Sequence, residues 1–272
     1  MKKVQKFYVK TPFNQHRSLK REVETLSSKD PFELVPILRQ VPFTEESMVL
    51  EVGSGTGWLL NGLALFHTIP GLGLDLNPRA VKFSNKISKK LGLHNRFIQG
   101  DLFDFRLYSQ FDVIISYGAL HHTKDCHEAI RHLSSLLKPG GHIVLGLYHI
   151  SRRPFLEHFD KLKMRYGKRR LKKEFFKFRY GSYTTDKTVL KSIFYDQVFH
   201  PHETQHSLPE IMEVLESSNC KLVSTSINQF KPFTDGEDWN YLEKVLINKA
   251  KWDRANKIMN FGFFTVLAKK QD

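Results

Sequence analysis

The chain has 272 residues, a formal net charge of +14 and two cysteines. This length suits one large domain or one domain with an appendage, and 40% hydrophobic with 12% aromatic residues exclude a disordered chain. No apolar run nears the ~20 residues of a membrane helix, no apolar stretch follows the first lysines as a secretory signal requires, and Cys126 and Cys220 lack metal or redox spacing, so the reading is a reducing cytoplasm with no integral membrane contact.

In chain order, residues 48–55 form a short apolar run ending in glycines and predict a buried strand, followed by a helix over 57–67. Gly71–Asp75 predicts a second strand. Asn77-Pro78 opens a helix to about Leu91, with Pro78 in the first turn, where its missing N–H costs nothing. Strands are expected at Arg96–Gln99 and Phe111–Ser116. A helix over 125–137 is expected to stop at Lys138-Pro139-Gly140-Gly141, before a fifth strand at His142–Tyr148. Alternating strands and helices, with strands apolar on both faces, argue for a parallel sheet covered on both sides. Residues 151–205 are basic and aromatic without a clean strand. The rhythm then resumes with a helix at about 208–218, a strand at Lys221–Ile227, a helix at about 238–258 and a last strand at Phe261–Ala268.

The charge is uneven. Residues 1–30 hold 8 Lys+Arg against 3 Asp+Glu, residues 151–180 hold 12 against 3, and the remaining 212 residues are balanced. Two basic segments are thus attached to a neutral body. They imply an anionic neighbour without choosing among nucleic acid, lipid, acidic protein and phosphorylated substrate.

The strongest motif is Glu51-Val52-Gly53-Ser54-Gly55-Thr56-Gly57 between strand and helix. Its glycines permit a tight turn and close approach of a ligand to backbone, and the helix beyond presents free N–H groups. The spacing departs from the dinucleotide fingerprint G-x-G-x-x-G, which disfavours a pyrophosphate ligand. An unliganded turn is the plain alternative. Asp75 ends the second strand, where an acid accepts hydrogen bonds from ribose hydroxyls; by itself it equally starts a turn. In Gly100-Asp101-Leu102 a carboxylate beside a backbone N–H suits an adenine, or else caps a helical turn. Ser116-Tyr117-Gly118-Ala119-Leu120-His121-His122 ends the fourth strand, where open α/β sheets bind ligands. Its histidines read as an acid or base, or as one packed and one solvated ring.

Together VLEVGSGTG, GLDL, GDLFDF, FDVIISYGALHHT and LLKPGGHIVLG resemble the class I S-adenosylmethionine-dependent methyltransferases. The x-x-LHH after strand four resembles the small-molecule, ubiquinone/menaquinone-type branch. The resemblance covers about residues 45–150 and suits the final strand. It implies a Rossmann-like seven-stranded α/β sheet with its last strand antiparallel, helices on both faces, and a basic helical insert after strand five. The corresponding division is a basic arm with helices over 1–44, a cofactor-binding core over 45–150, a basic substrate cap over 151–206 and the rest of the core over 207–272. The resemblance implies that Glu51, Gly53, Ser54, Gly55 and Gly57 cradle the methionine part of S-adenosylmethionine, whose product is S-adenosylhomocysteine. Asp75 and Leu76 would meet the ribose, Asp101 and Leu102 the adenine, and Ser116 and Tyr117 the opposite side.

Absences narrow the class. No Asn/Asp-Pro-Pro-aromatic sequence of the amino-directed base methyltransferases follows strand four, neither cysteine follows a proline as the cytosine C5 nucleophile does, and paired acids of the arginine-methyltransferase type are missing. His200-Pro201-His202-Glu203 and His206 match no zinc spacing and read as a polar wall of the substrate site, so no metal ligand set is assigned. Aromatics interleave with the basic residues of 151–180. They predict an amphipathic cap with aromatics on the sheet, a single-strand nucleic-acid surface, or a membrane-surface or acidic-carrier contact. The expected activity is O- or C-methylation of a small or carrier-bound, anionic acceptor. His121 or His122 would be the base, Tyr117 would orient the acceptor, and His200, His202 and Glu203 stand next in line. An RNA methyltransferase docking through arm and insert, and a non-catalytic cofactor-binding scaffold, stay open.

Overall fold

The computed structural model describes residues 2–10, 13, 18–106, 110–179, 186–233, 238–256, 258 and 262–272. Its helices and strands, in chain order, are α1 (Lys2–Lys10), α2 (Leu19–Leu26), α3 (Pro31–Leu34), β1 (Val49–Val52), α4 (Trp58–His67), β2 (Gly71–Asp75), α5 (Pro78–Leu91), β3 (Arg96–Gln99), β4 (Phe111–Tyr117), α6 (Cys126–Ser135), β5 (Leu137–Tyr148), α7 (Arg153–Arg165), α8 (Lys168–Arg179), α9 (Lys187–Phe199), α10 (Leu208–Glu216), β6 (Cys220–Thr225), α11 (Trp239–Ala255) and β7 (Phe263–Lys270).

The strands form a seven-stranded sheet in the order β3-β2-β1-β4-β5-β7-β6. The first five strands pair in parallel, and β7 inserts antiparallel between β5 and β6. Each face buries its own apolar cluster. Leu50, Ile114, Ile143 and Val266 pack against α6 and α10 residues such as Ile130 and Ile211 on one face; Val49, Ile115, Val144 and Leu267 pack against Leu59, Leu60 and Leu63 of α4 on the other. The chain runs outward from β1 to β3 and then returns to place β4 on the other side of β1. That reversal opens a crevice at the carboxyl ends of β1 and β4.

Several expected boundaries move. The Lys138-Pro139-Gly140-Gly141 segment lies inside β5 rather than before it: Leu137 pairs with Phe111, and pairing then slips to His142 against Val113. Helix α6 accordingly ends at Ser135, short of the expected 137. The last strand runs later than expected, from Phe263 to Lys270, and Phe261 lies outside the described residues. The insert forms α7, α8 and α9, and its buried aromatics do not pack on the sheet, while the side chains of Phe178 and Tyr180 lie outside the described residues. Phe155, Phe159, Phe175 and Phe194 join Leu171, Val189, Ile193 and Val198 in a separate core within the cap. Charged positions such as Lys161, Arg165, Arg169 and Lys173 stay exposed. Cys126 and Cys220 are buried free thiols. Among the described residues no helix is long and apolar enough to cross a membrane.

Candidate active site

A cavity of about 480 Å³ occupies the crevice and passes beneath α1 and α9. Helix α1 is held over it by three contacts with the β2–α5 turn: Gln5 Nε2 donates to the Leu76 carbonyl at 3.2 Å, Asn77 Nδ2 to the Tyr8 carbonyl at 3.0 Å, and Arg79 to the Val9 carbonyl at 3.0 Å. Val4, Tyr8 and Phe13 of the amino-terminal segment line the cavity. The acidic side chains on its wall are Glu51, Asp75, Asp101 and Asp196, and among the described residues no lysine or arginine lines it.

One end is built by the β1–α4 and β2–α5 turns. Gly53 sits at φ +75 where a Cβ would collide with Ala119, whereas a Cβ at Gly55, φ +52, would meet nothing within 4 Å. Asp75 binds the loop to the next turn, accepting the Gly55 and Asn77 N–H groups at 2.7 Å each. Burial pushes its carboxyl up. Asp101 accepts the Phe103 N–H at 3.1 Å. Glu51 is 3% exposed, and its Oε2 has no hydrogen-bond partner. Desolvation, against a backbone hydrogen bond from Leu60, pushes its carboxyl up to about 8.

The other end is built by α1, the segment after β4, the end of β5, and α9. Tyr8 donates to Asp196 Oδ1 at 2.7 Å. Gln197 Nε2 donates to the Tyr148 hydroxyl at 2.6 Å and to Asp196 Oδ2 at 3.2 Å. Buried Arg152 fixes that amide by donating to Gln197 Oε1 at 2.9 Å. His122 Nδ1 donates to the His202 carbonyl at 3.0 Å, which leaves Nε2 with a lone pair. Backbone N–H of His202 donates to His200 Nδ1 at 3.1 Å, so the His200 proton sits on Nε2, an atom with no partner. One loop therefore sets two tilted, closely packed rings, with centroids 3.7 Å apart, in opposite tautomers. Burial drives both down to about 3, so both are neutral near pH 7. His122, Asp196 and His200 also have cation-site spacing, but the protonated Nε2 of His200 offers no lone pair to a metal.

A family model described as a methyltransferase domain matches residues 43–262. The chain belongs to that family. The cofactor of this methyltransferase domain is S-adenosylmethionine. Malonyl-[acyl-carrier protein] O-methyltransferase of Priestia megaterium is 26% identical over 148 residues, 53% of either chain. tRNA U34 carboxymethyltransferase of Syntrophotalea carbinolica is 33% identical over 103 residues, 36% of this chain and 31% of that one. The chain thus spans about half, or less, of the length of these relatives. PKMT2 from Rickettsia typhi, solved with AdoHcy, has a TM-score of 0.61 at 18% identity, covering 89% of this chain and 54% of its own. Magnesium protoporphyrin IX methyltransferase of Synechocystis PCC 6803, solved with bound SAH, has a TM-score of 0.53 at 15% identity, covering 94% and 89%. Those two likenesses concern the fold.

The methyltransferase domain's cavity fits this cofactor. Glu51, among the lining residues, keeps a buried carboxylate oxygen without a hydrogen-bond partner, which an ammonium group would satisfy, and a Cβ at Gly55 would meet nothing within 4 Å, so the loop backbone there is open to a ligand. Of the expected cofactor residues, Glu51, Gly53, Ser54, Gly55, Asp75, Leu76, Asp101, Leu102 and Tyr117 line the cavity. Gly57 and Ser116 do not. Gly57 starts α4 at φ +75 with Phe97 and Ser84 against its open side, which is a packing requirement. Ser116 is fully buried, its hydroxyl donating to the Val52 carbonyl at 3.0 Å between β4 and β1.

Of the expected catalytic residues, His122 and Tyr117 reach the cavity. His121 points away: its ring stacks on Tyr148 at 3.9 Å and its Nδ1 accepts the Tyr148 N–H at 3.3 Å. His202 acts through its backbone, its side chain being exposed. Glu203 is paired with Arg152 at 2.9 Å. Asp196, Gln197, Tyr148, Tyr8 and Phe263 were not singled out as site residues. Asp196 carried a signal, four residues before the stiff His200-Pro201 pair, where one helical turn sets it beside His200.

The raised Glu51 carboxyl has a measurable consequence. An ammonium group bound there requires the carboxylate, so binding releases a proton below about pH 8. AdoHcy affinity is expected to rise up to about tenfold per pH unit from about pH 6 to 8. Isothermal titration across that range checks this, and Glu51→Gln should weaken binding and flatten the dependence.

Proposed function

We propose that this chain transfers the methyl group of S-adenosylmethionine to a hydroxyl or activated carbon of a small or carrier-bound acceptor, within the small-molecule branch of the family. One observation carries the reading: a single cavity of about 480 Å³ runs from the cofactor residues to Tyr8, His122, Tyr148, Asp196 and Gln197. That volume lies at the small-ligand end of binding cavities. The bound cofactor supplies a methyl already activated by sulfonium. The protein aligns the nucleophile and excludes water. His122 Nε2 accepts the hydrogen of the attacking group, and Asp196, part of the same cluster, stabilises the imidazolium that follows. The Tyr148 hydroxyl, whose oxygen already accepts from Gln197, turns its proton toward the acceptor, and Tyr117 bounds the path.

Among the described residues an anionic reacting group finds no lysine or arginine on the cavity wall. Any anionic portion of the acceptor or its carrier therefore belongs outside, against the exposed basic residues of α7 and α8. The burial of Phe155, Phe159 and Phe175 in the cap core takes three of the insert's aromatics away from an RNA stacking surface, while Tyr166 and Phe176 stay half-buried.

His122→Asn tests the catalytic assignment. It keeps a group able to donate to the His202 carbonyl but removes the Nε2 base. AdoHcy release with a metabolite extract as acceptor source should fall about 10²–10⁴-fold, with AdoHcy affinity unchanged. Unaltered turnover removes His122 from the mechanism, and equal loss of cofactor affinity makes its role structural.

A further inference from the structure

A second cluster of ligating side chains lies outside the cavity. His127 on α6, His206 on the loop returning from the cap, and Glu210 on the first turn of α10 converge on one carboxylate oxygen. His127 Nε2 is 2.6 Å and His206 Nδ1 2.7 Å from Glu210 Oε1. His127 and Glu210 lie 83 residues apart in sequence, and none of the three lines the cavity. The ring of His206 is buried, whereas His127 and Glu210 are each about a third exposed. The cluster is thus rigid on one side and open to water on the other.

We propose that His127, His206 and Glu210 form a binding site for a zinc-class divalent cation, with water as the fourth ligand. Two imidazoles and a carboxylate are a donor set that zinc takes at three protein positions with one left open. The donor atoms of all three residues already lie within 4.8 Å of one another. Tetrahedral zinc at its usual bond lengths sets neighbouring donors about 3.3 Å apart, so the two short contacts open by a fraction of an ångström while the rings keep their places. Each imidazole would offer the cation the nitrogen that now faces Glu210 and carry its N–H on the opposite nitrogen. For His206 the partner is in place: Thr204 Oγ1 lies 2.8 Å from its Nε2, an outer contact of the kind that orients metal-bound histidines. Glu210 is steadied by its other oxygen, which accepts the Ser207 N–H at 3.2 Å in a capping box.

The cation's place in the fold gives it a job. The loop it would fasten supplies the carbonyl that fixes the His122 tautomer. It is joined to the same neighbourhood by the Thr204 N–H to the His121 carbonyl and the His206 N–H to the Tyr148 carbonyl, both at 2.9 Å. Binding would tie α6, α10 and this loop together behind the acceptor end of the cavity.

The experiment titrates the untagged, chelator-treated full chain with zinc chloride by calorimetry and follows its thermal midpoint. One zinc per chain is expected, with a raised midpoint. Both effects should be lost in Glu210→Gln, His127→Asn and His206→Asn, and kept in His200→Ala, which alters the cluster on the cavity wall. Circular dichroism without zinc shows whether each variant is folded, and the folded ones decide the result. No saturable binding by the wild type overturns the proposal. So does binding that survives in folded Glu210→Gln and His127→Asn, or binding lost in folded His200→Ala alone, which would put the zinc in the cavity. Because AdoHcy affinity is read separately on each variant, failure of the zinc site leaves the methyl-transfer reading testable on its own.

Discussion

Gly55→Arg should abolish measurable AdoHcy binding while leaving a folded protein. The backbone there is at φ +52, a region that costs a residue with a Cβ about 1–2 kcal/mol. That strain alone is tolerable in a large domain. The side chain decides the outcome, because an added Cβ meets nothing within 4 Å and leads the guanidinium into the cavity. Glu51 and Asp75 are the carboxylates in reach on that wall, and buried acids pushed toward neutrality gain from a cation. The arginine thereby occupies the space and the charges that the cofactor would use. Gly55→Ala, with a similar backbone cost but little volume, should retain weakened binding. Calorimetry with AdoHcy and a thermal melt separate the cases. Wild-type affinity in folded Gly55→Arg would remove the cofactor from this loop, and a collapsed melt in Gly55→Ala would show that strain, not occlusion, dominates.

Arg152→Ala is expected to cause the largest loss of stability, about 3–5 kcal/mol. Arg152 is fully buried. It donates to both oxygens of Glu203, at 2.9 and 3.3 Å, and to the side chain and carbonyl of Gln197, at 2.9 and 3.2 Å. Its guanidinium lies 3.9 Å from the Tyr148 ring centre and 4.8 Å from that of Phe155. Truncation leaves the Glu203 carboxylate without its cation at 12% exposure and opens a void between β5 and α9. Glu203→Gln keeps an acceptor for the guanidinium, so the smaller loss belongs to that variant. Urea unfolding of both measures the difference. A change under about 1 kcal/mol in Arg152→Ala would mean that the cap does not depend on this pair. The Gln197 amide is also released in Arg152→Ala, so the Tyr148 hydroxyl and Asp196 lose a common tether, and turnover should fall beyond what the unfolded fraction explains.

Most of the residues expected at the cofactor end line the cavity, and they were legible in the sequence because their determinants are local. Gly53 and Gly55 need left-handed backbone next to a strand end, Asp75 closes the next strand, and each requirement falls within a few consecutive residues. Gly57 and Ser116 belonged to the same motifs but serve packing. Spacing alone does not separate a glycine that faces a ligand from one that faces Phe97. The cap was legible as basic and aromatic, but not the direction of its aromatics. Helix α9 supplies the partner apolar face, and the three helices close on one another instead of on the sheet.

By itself, then, the sequence determined the alternating architecture and the glycines and acids at its strand ends, since periodicity and turn chemistry act over short stretches of chain, whereas the strand order that opens the crevice belongs to the tertiary structure. Only the tertiary structure decided which of two adjacent histidines faces the cavity, that Glu203 is bound to Arg152, that Tyr8 meets Asp196 across 188 residues, and that the wall described is acidic, without lysine or arginine among the described residues. Those outcomes depend on which distant groups satisfy a buried donor, acceptor or charge. That competition is settled only when the elements pack together.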